Sequence, residues 1–149
     1  MGWLLLLIIG SFGAILIGYW RQLAQPQPTT LRLPMAPVRL SYRQVPTLFI
    51  HGYHGNRLSF GRQMARLQRH GWAQKQVVIR VTTQGGLQVS GTLSGLENPM
   101  IQVLFQNNHA SLTQQAHWLQ QIYHYLHRRW SVDQLNIVAH SMGAVSALR

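Results

Sequence analysis

The sequence contains no cysteine and only two acidic residues among its 149 positions. Without cysteine, disulfides, thiolate catalysis and cysteine-ligated metals are excluded. The two acids, Glu97 and Asp133, are set against thirteen Lys and Arg residues, which gives a formal net charge of +11. The basic residues are spread along the chain without a continuous run. We therefore expect no specific nucleic-acid binding, but a nonspecific attraction to anionic surfaces.

Histidine is plentiful, with eight residues, but no H-E-x-x-H pattern occurs and few acids could complete a metal site. His124 and His127 are spaced one helical turn apart, which suits a pair of metal ligands or a polar helix face. With so few acids nearby, the polar face is the favoured interpretation. We expect neither a metal nor another cofactor.

Residues 3–20 are uncharged and mostly apolar, and eighteen residues is close to the shortest helix that spans ~30 Å of hydrocarbon. Trp3 at one end and Trp20 at the other suit the two interfaces of a bilayer. We expect a signal anchor over residues 1–21, which contacts the membrane through residues 3–20. A cleaved signal peptide and a buried helix are the alternatives. Because Arg21 follows the segment, the positive-inside rule would keep the remainder cytoplasmic.

Residues 22–46 hold five of the six prolines and show little hydrophobic periodicity. Proline-rich segments are extended and semi-rigid. We therefore expect a linker over residues 22–46, with a folded domain beginning at residue 47.

From residue 47 onward, short apolar runs alternate with stretches of helical periodicity. One helix is expected between a cap at Asn56 or Ser59 and a stop at Gly71, with Phe60, Met64 and Leu67 on one face. A second begins at Ser111, and its expected apolar face consists of Leu119, Ile122, Tyr123, Leu126 and Trp130. Strands are expected at Thr47–Ile50, Val77–Val81, Leu87–Leu93, Ile101–Phe105 and Leu135–Ala139. This alternation predicts an α/β fold with a doubly wound parallel sheet, in which residues 87–105 form a β-hairpin insertion.

A nucleophile elbow is indicated directly after the last expected strand, where the sequence reads Ala139-His140-Ser141-Met142-Gly143. Such an elbow holds a serine on a sharp strand-to-helix turn, where small flanking residues relieve crowding and the helix N-terminus favours developing negative charge. We predict Ser141 as the nucleophile. The alternative is an ordinary strand-to-helix turn that happens to carry a serine.

A second motif follows the first expected strand and reads His51-Gly52-Tyr53-His54-Gly55-Asn56. A tetrahedral intermediate needs two preorganised N–H donors, and we assign the backbone N–H groups of Tyr53 and Met142 to this oxyanion hole. Gly52 would permit the close approach, and a plain glycine-rich turn is the alternative. His51 and His54 are expected to structure the loop rather than to act as a base. The expected supporting residues of the two turns are His51, Gly52, His140 and Gly143, and His140 is expected to point into the structure beside the strand.

The rest of a catalytic triad is missing from the sequence. In this type of fold the chain order is Ser, then Asp or Glu, then His, and neither an acid nor a histidine follows Ser141. Asp133 precedes Ser141 on an extended run at ~3.3 Å per residue, which places it up to ~26 Å away. Glu97 lies in the expected insertion. Neither acid is positioned to orient a base.

From about Val45 onward, several stretches occur together: PTLFIHGYHGN, VVIRV, GGLQVSGTL, NPMIQVLFQNN, QAHWL and LNIVAHSMG. In this order they resemble the α/β-hydrolase family of cell-surface hydrolases from Gram-positive bacteria, a family of unknown function. The resemblance implies an extracytoplasmic location, against the positive-inside rule, and a Ser-Asp-His triad of which only Ser141 is present. Residues 47–149 would be the N-terminal part of such a domain, from a longer protein, a frameshifted gene or a truncated chain.

Two functions follow from these patterns. The first is a serine hydrolase that transfers an acyl group from a small-molecule or lipid ester to Ser141, expected to be inactive in this chain alone. The second is a catalytically inactive, membrane-tethered module that binds anionic wall or lipid surfaces. Because the later strands of the fold are missing, we also expect an exposed sheet edge that makes the isolated chain unstable.

Overall fold

The computed structural model describes residues 44–94 and 98–149. The expected anchor at 1–21, all but the end of the linker, and Glu97 lie outside these ranges. The strands are β1 (Thr47–Ile50), β2 (Gln74–Val81), β3 (Leu87–Gly91), β4 (Pro99–Phe105) and β5 (Asn136–Ala139). The helices are α1 (Leu58–Arg69), α2 (Leu112–Trp130) and α3 (Met142–Ala147). Strands and helices therefore alternate as the sequence predicts.

The five strands form one sheet in the order β3-β2-β4-β1-β5. β1 pairs in parallel with β4 on one side and with β5 on the other. β1 lies between two strands and is covered on both faces of the sheet, so Leu48, Phe49 and Ile50 are buried. The carboxyl ends of β1 and β5 therefore lie side by side, which brings together the two motifs that follow them.

β4 departs from the expected hairpin insertion. It lies between β1 and β2, parallel to both, and nearly all of its residues are buried. A continuous apolar run of this kind suits a strand that is covered on both faces, which is why it occupies the centre of the sheet. Only β3 is antiparallel, joined to β2 by a turn in which Thr82 N–H donates to Gly86 O at 2.8 Å. The sheet is therefore mixed rather than wholly parallel.

α1 covers one face of the sheet through the apolar residues that the periodicity predicted. Phe60, Met64 and Leu67 pack against Phe49 and Met100. This arrangement leaves the opposite side of α1 to solvent, and the basic residues of the helix lie there.

α2 covers the other face, and its buried side differs in part from the prediction. Ser111 caps the helix by accepting from the N–H of Gln114 at 3.3 Å, and Ile122 and Leu126 are buried as expected. Trp118, which the periodic pattern omitted, is 1% exposed, whereas Tyr123, which the pattern included, is 40% exposed. The buried stripe of α2 therefore keeps its predicted centre at Ile122 and Leu126 but includes Trp118 instead of Tyr123.

Several strand boundaries also differ by a few residues from the sequence prediction. β2 starts at Gln74 rather than Val77, because the N–H of Gln74 donates to Asn98 O at 3.2 Å and extends the ladder. β3 ends at Gly91, whose φ of +93° turns the chain out of the extended region. Within residues 44–94 and 98–149, no helix is both long and apolar enough to cross a membrane.

Candidate active site

Ser141 occupies the turn between β5 and α3. Its backbone has φ 53° and ψ −128°, a region that non-glycine residues rarely adopt and that costs ~1–3 kcal/mol. The turn is fixed on both sides, since His140 N–H donates to Ile50 O at 3.2 Å and Gly143 N–H donates to His140 O at 3.0 Å. Ser141 itself is exposed. A strained, exposed serine between a strand and a helix is the geometry of a nucleophile elbow.

Gly143 brings the first turn of α3 into direct contact with the end of β1. A Cβ atom at this position would lie 2.5 Å from His51 O and 2.9 Å from Ile50 O. Both atoms belong to the backbone, so neither can rotate away. Gly143, two positions after the serine, is therefore required by the close approach of two backbones, which is the physical reason for the last glycine of the motif.

Gly52 makes the reciprocal approach from the loop after β1. A Cβ atom there would lie 2.8 Å from His140 O, 3.0 Å from Ser141 Cβ and 3.5 Å from Met142 N. The loop and the elbow are thus in van der Waals contact, and Gly52 leaves open the space beside the serine and the first amide of α3.

The two amides assigned to the oxyanion hole flank this contact. In the described part of the chain, the N–H groups of Tyr53 and Met142 have no hydrogen-bond acceptor. The following amides are used, because His54 N–H donates to Asn108 O at 2.9 Å and Gly143 N–H donates to His140 O. Tyr53 and Met142 therefore keep their donors available for a ligand, as an oxyanion hole requires.

His51 joins the ends of two strands and is only 1% exposed. Its Nδ1 lies 2.8 Å from Gly52 O, and its Nε2 lies 3.1 Å from the N of Phe105 at the end of β4. Because a carbonyl can only accept and an amide N–H can only donate, the proton is on Nδ1 and the ring is neutral. Burial lowers the pKa of His51, and its bond to Gly52 O partly offsets that effect. Both nitrogens are engaged, so His51 structures the loop and has no free nitrogen to act as a base.

The loop after β1 is also held by the loop after β4, a contact that the sequence reasoning missed. Asn108 accepts from His54 N–H through its carbonyl and donates through Nδ2 to Gly55 O at 2.9 Å. His54 has φ 58°, and a Cβ atom on Gly55 would lie within 2.7 Å of the His51 ring. The sequence signal for this contact was the pair Asn107-Asn108 shortly after β4, since asparagine side chains often form hydrogen bonds with the backbone of turns.

His140 is exposed, whereas the sequence reasoning placed it inside the structure beside the strand. β5 is an edge strand among the described residues, and no further strand covers its outer side. Ile137 on the same strand is 49% exposed for the same reason. The His140 side chain could be buried only if a further element packed beside β5, and residues 44–94 and 98–149 provide none.

The described residues bring no acid to the serine. Asp133 lies at the amino edge of the sheet, where its Oδ1 is 3.0 Å from Nδ1 of His127. His54 and His109 lie near Tyr53, with ring centroids 4.0 Å apart, and both are exposed. No group of three or more potential metal ligands occurs in residues 44–94 and 98–149.

An apolar cavity of about 530 Å³ opens on the α2 side of the sheet. It lies between α2, β5 and α3, and its lining includes Leu48, Ile50, Leu119, Tyr123, Ile137 and Ala147. Ser141, Tyr53 and Met142 do not line it. It is therefore separate from the elbow.

Comparison with known proteins places this geometry in a family. The model of a family described as "Alpha/beta hydrolase of unknown function (DUF915)" matches residues 37–149. No curated protein matches the chain significantly.

Two solved structures share the fold. The lin2722 gene product of Listeria innocua has 26% identity and a TM-score of 0.63 over 70% of this chain and 42% of its own. The "putative cell surface hydrolase" of Lactobacillus plantarum WCFS1 has 20% identity and a TM-score of 0.61, over 69% of this chain and 43% of its own. The chain thus spans less than half the length of either structure.

Proposed function

The chain belongs to the α/β-hydrolase family of unknown function that residues 37–149 match, and we propose that it carries the nucleophile and oxyanion hole of a serine hydrolase. The observation that carries this proposal is the strained, exposed Ser141, held against Gly52 between two unused amides. The proposed substrate is an ester of a small molecule or a lipid. The proposed location is the cell surface, as the name of the Lactobacillus structure states for that protein.

The proposed chemistry is acyl transfer. Ser141 Oγ attacks the ester carbonyl carbon, a C–O bond forms, and the carbonyl π electrons move onto oxygen. The N–H groups of Tyr53 and Met142 stabilise this oxyanion, and each such donor is worth about 10²–10³ in rate. When the oxyanion collapses, the bond to the leaving group breaks, the alkoxide departs with the proton that a base took from the Ser141 hydroxyl, and acyl-Ser141 remains. Water then hydrolyses this ester, which releases the acid and restores the serine hydroxyl.

The general base that takes the proton from Ser141 is not supplied by His51, because both of its nitrogens are engaged. Asp133 is paired with His127 at the far edge of the sheet. In this fold the acid and base follow the serine in chain order, and residues 142–149 contain neither an acid nor a histidine. We propose that this chain supplies the nucleophile without completing the catalytic cycle.

The test is covalent labelling with a fluorophosphonate, applied to this chain and to the complete product of its gene. Mass spectrometry should locate the adduct on Ser141, with faster labelling in any form that also supplies the base. Ser141→Ala should abolish the adduct, whereas Ser90→Ala, which removes an exposed serine on β3, should leave it unchanged. A folded complete gene product that is not labelled at Ser141 would contradict the proposal.

A second candidate, a binding module without catalysis, is favoured by one observation. Residues 57–81 contain six basic residues and no acid. Binding to an anionic surface without ester turnover by the complete gene product would support this alternative.

A further inference from the structure

Exposed basic residues at the start of α1, along α1 and on β2 form a cationic face on one side of the sheet. α1 buries Phe60, Met64 and Leu67 against the sheet, so its remaining sides are exposed. The cationic face consists of Arg57, Arg62, Arg69, Lys75 and Arg80, all of which are exposed. The described residues contain a single acid, Asp133, which lies beyond the end of α2 and pairs with His127. No acidic side chain in the described part therefore neutralises this face.

A groove runs along the cationic face. It has a volume of about 450 Å³ and is lined by Gly61, Ala65, Gln68, Arg69 and Lys75. Gly61 has no atom within 4 Å of the position of a Cβ, so the surface above it is open. Small residues thus leave space between two cationic side chains, which suits an anionic group in the groove.

Lys75 is held in place on this face by a buried glutamine. Its Nζ donates to Gln102 Oε1 at 2.5 Å, and Gln102 Nε2 donates to Arg57 O at 2.9 Å. Partial burial lowers the pKa of Lys75, and the positive charge of Arg57 lowers it further. Two like charges are therefore kept close together, and residues 44–94 and 98–149 provide no acidic partner for them. An anion bound between them would relieve their repulsion.

An exposed tryptophan lies beside these charges. Trp72, just after the end of α1, is 43% exposed and stacks on His70 with ring centroids 5.0 Å apart. Its backbone is fixed, since Trp72 N–H donates to Leu67 O and Asn98 Nδ2 donates to Trp72 O. Tryptophan next to Arg and Lys is typical of surfaces that lie at the headgroup level of a bilayer.

We propose that the cationic face binds the phosphate groups of an anionic lipid bilayer, with Trp72 entering the headgroup region. A bilayer is favoured over nucleic acid because the sequence carries no nucleic-acid motif and predicts a membrane span at residues 3–20. The surface is on α1 and β2, whereas the nucleophile is on the turn after β5. This proposal therefore stands whether or not Ser141 is a nucleophile.

The experiment measures binding of the full chain to two kinds of vesicle, phosphatidylcholine alone and equal parts phosphatidylcholine and phosphatidylglycerol. The ratio of the two affinities is the readout, because the N-terminal segment is the same in every variant and largely cancels. Arg62→Gln/Arg69→Gln removes two charges from α1. We expect this variant to lower the ratio by about thirty-fold, from the usual contribution of a basic residue at an anionic surface.

The matched control is Arg128→Gln/Arg129→Gln, which removes the same charge from exposed positions on α2, on the opposite side of the sheet. We expect this variant to keep a ratio close to that of the parent chain. Trp72→Ala should weaken binding to both kinds of vesicle, and circular dichroism should show that every variant folds as the parent does.

Three results would overturn the proposal. The parent chain could show no preference for the anionic vesicles. Both double variants could lose the preference equally, which would assign it to net charge alone. Double-stranded DNA could bind more tightly than the anionic vesicles with the same dependence on Arg62 and Arg69, which would identify a nucleic-acid surface instead.

Discussion

Replacing Gly143 with alanine tests the contact on which the candidate site depends. The added Cβ would lie 2.5 Å from His51 O and 2.9 Å from Ile50 O, well inside ordinary contact distance. Because both oxygens belong to the backbone at the end of β1, relief requires α3 to move away from the strand. Overpacking of this kind costs about 1–3 kcal/mol, partly offset by the gain of up to ~1 kcal/mol when alanine replaces glycine in a helix.

Gly61→Ala is the matched control, because it makes the same chemical change in a helix where no atom lies within 4 Å of the new methyl group. At Gly61 only the higher helix propensity of alanine acts, and we expect the free energy of unfolding to rise by up to ~1 kcal/mol. Urea unfolding followed by far-ultraviolet circular dichroism should therefore move the midpoint down for Gly143→Ala and up for Gly61→Ala.

The same pair of variants separates stability from chemistry. Moving α3 would also displace Ser141 and the N–H of Met142, so Gly143→Ala should slow fluorophosphonate labelling while Gly61→Ala should not. If Gly143→Ala raises the urea midpoint as much as Gly61→Ala does, the two backbones do not approach as described, and the case for the elbow fails as well.

Three further predictions concern the residues around the site. Burial lowers the pKa of His51 in the folded state, so its neutral ring stabilises the fold fully above about pH 6.5, and this stabilisation is lost as the pH falls through the lowered pKa. The urea midpoint should therefore drop on acidification, and it should drop less in His51→Gln. Ser146→Ala should cost about 1–3 kcal/mol, since it leaves the buried Gln115 amide without its hydroxyl partner, and adding Gln115→Leu should restore most of that loss in thermal melts. Asp133→Asn should change the unfolding free energy by less than about 1 kcal/mol, because its pairing with His127 is exposed; a larger change would show that this pair does more than the geometry indicates.

Local patterns in the sequence predicted the elements well. A continuous apolar run specifies a strand buried on both faces, and Thr47–Ile50 is that strand with the expected bounds. Ser111 specifies a helix start because its side chain accepts an amide within its own first turn. The elbow was visible because strand, small residues and helix are consecutive in sequence. Each of these signals lies within a few residues of the feature that it predicts.

Contacts between distant residues were not visible in the same way. The position of β4 between β1 and β2 depends on pairing with residues about 25 and 53 positions earlier, and the apolar run of β4 does not by itself specify those partners. The hydrogen bond between Ser146 and Gln115 joins residues 31 positions apart. The exposure of His140 depends on what lies beyond β5. The predicted apolar stripe of α2 included Tyr123 and omitted Trp118 because both residues are apolar enough for the buried side of the helix, and only packing distinguishes them.

The geometry at Ser141 is maintained by close backbone contacts rather than by an acid and a base. Gly52 and Gly143 let the loop after β1 and the first turn of α3 come together, while His51 fixes the end of β1 to β4. None of these contacts involves a residue that would abstract a proton. The proposed elbow and oxyanion amides are held by contacts among the described residues, whereas the proposed turnover needs a base that these residues do not place. It follows that serine labelling and ester turnover are separable, and a chain that is slowly labelled at Ser141 but does not turn over esters is the outcome this arrangement predicts.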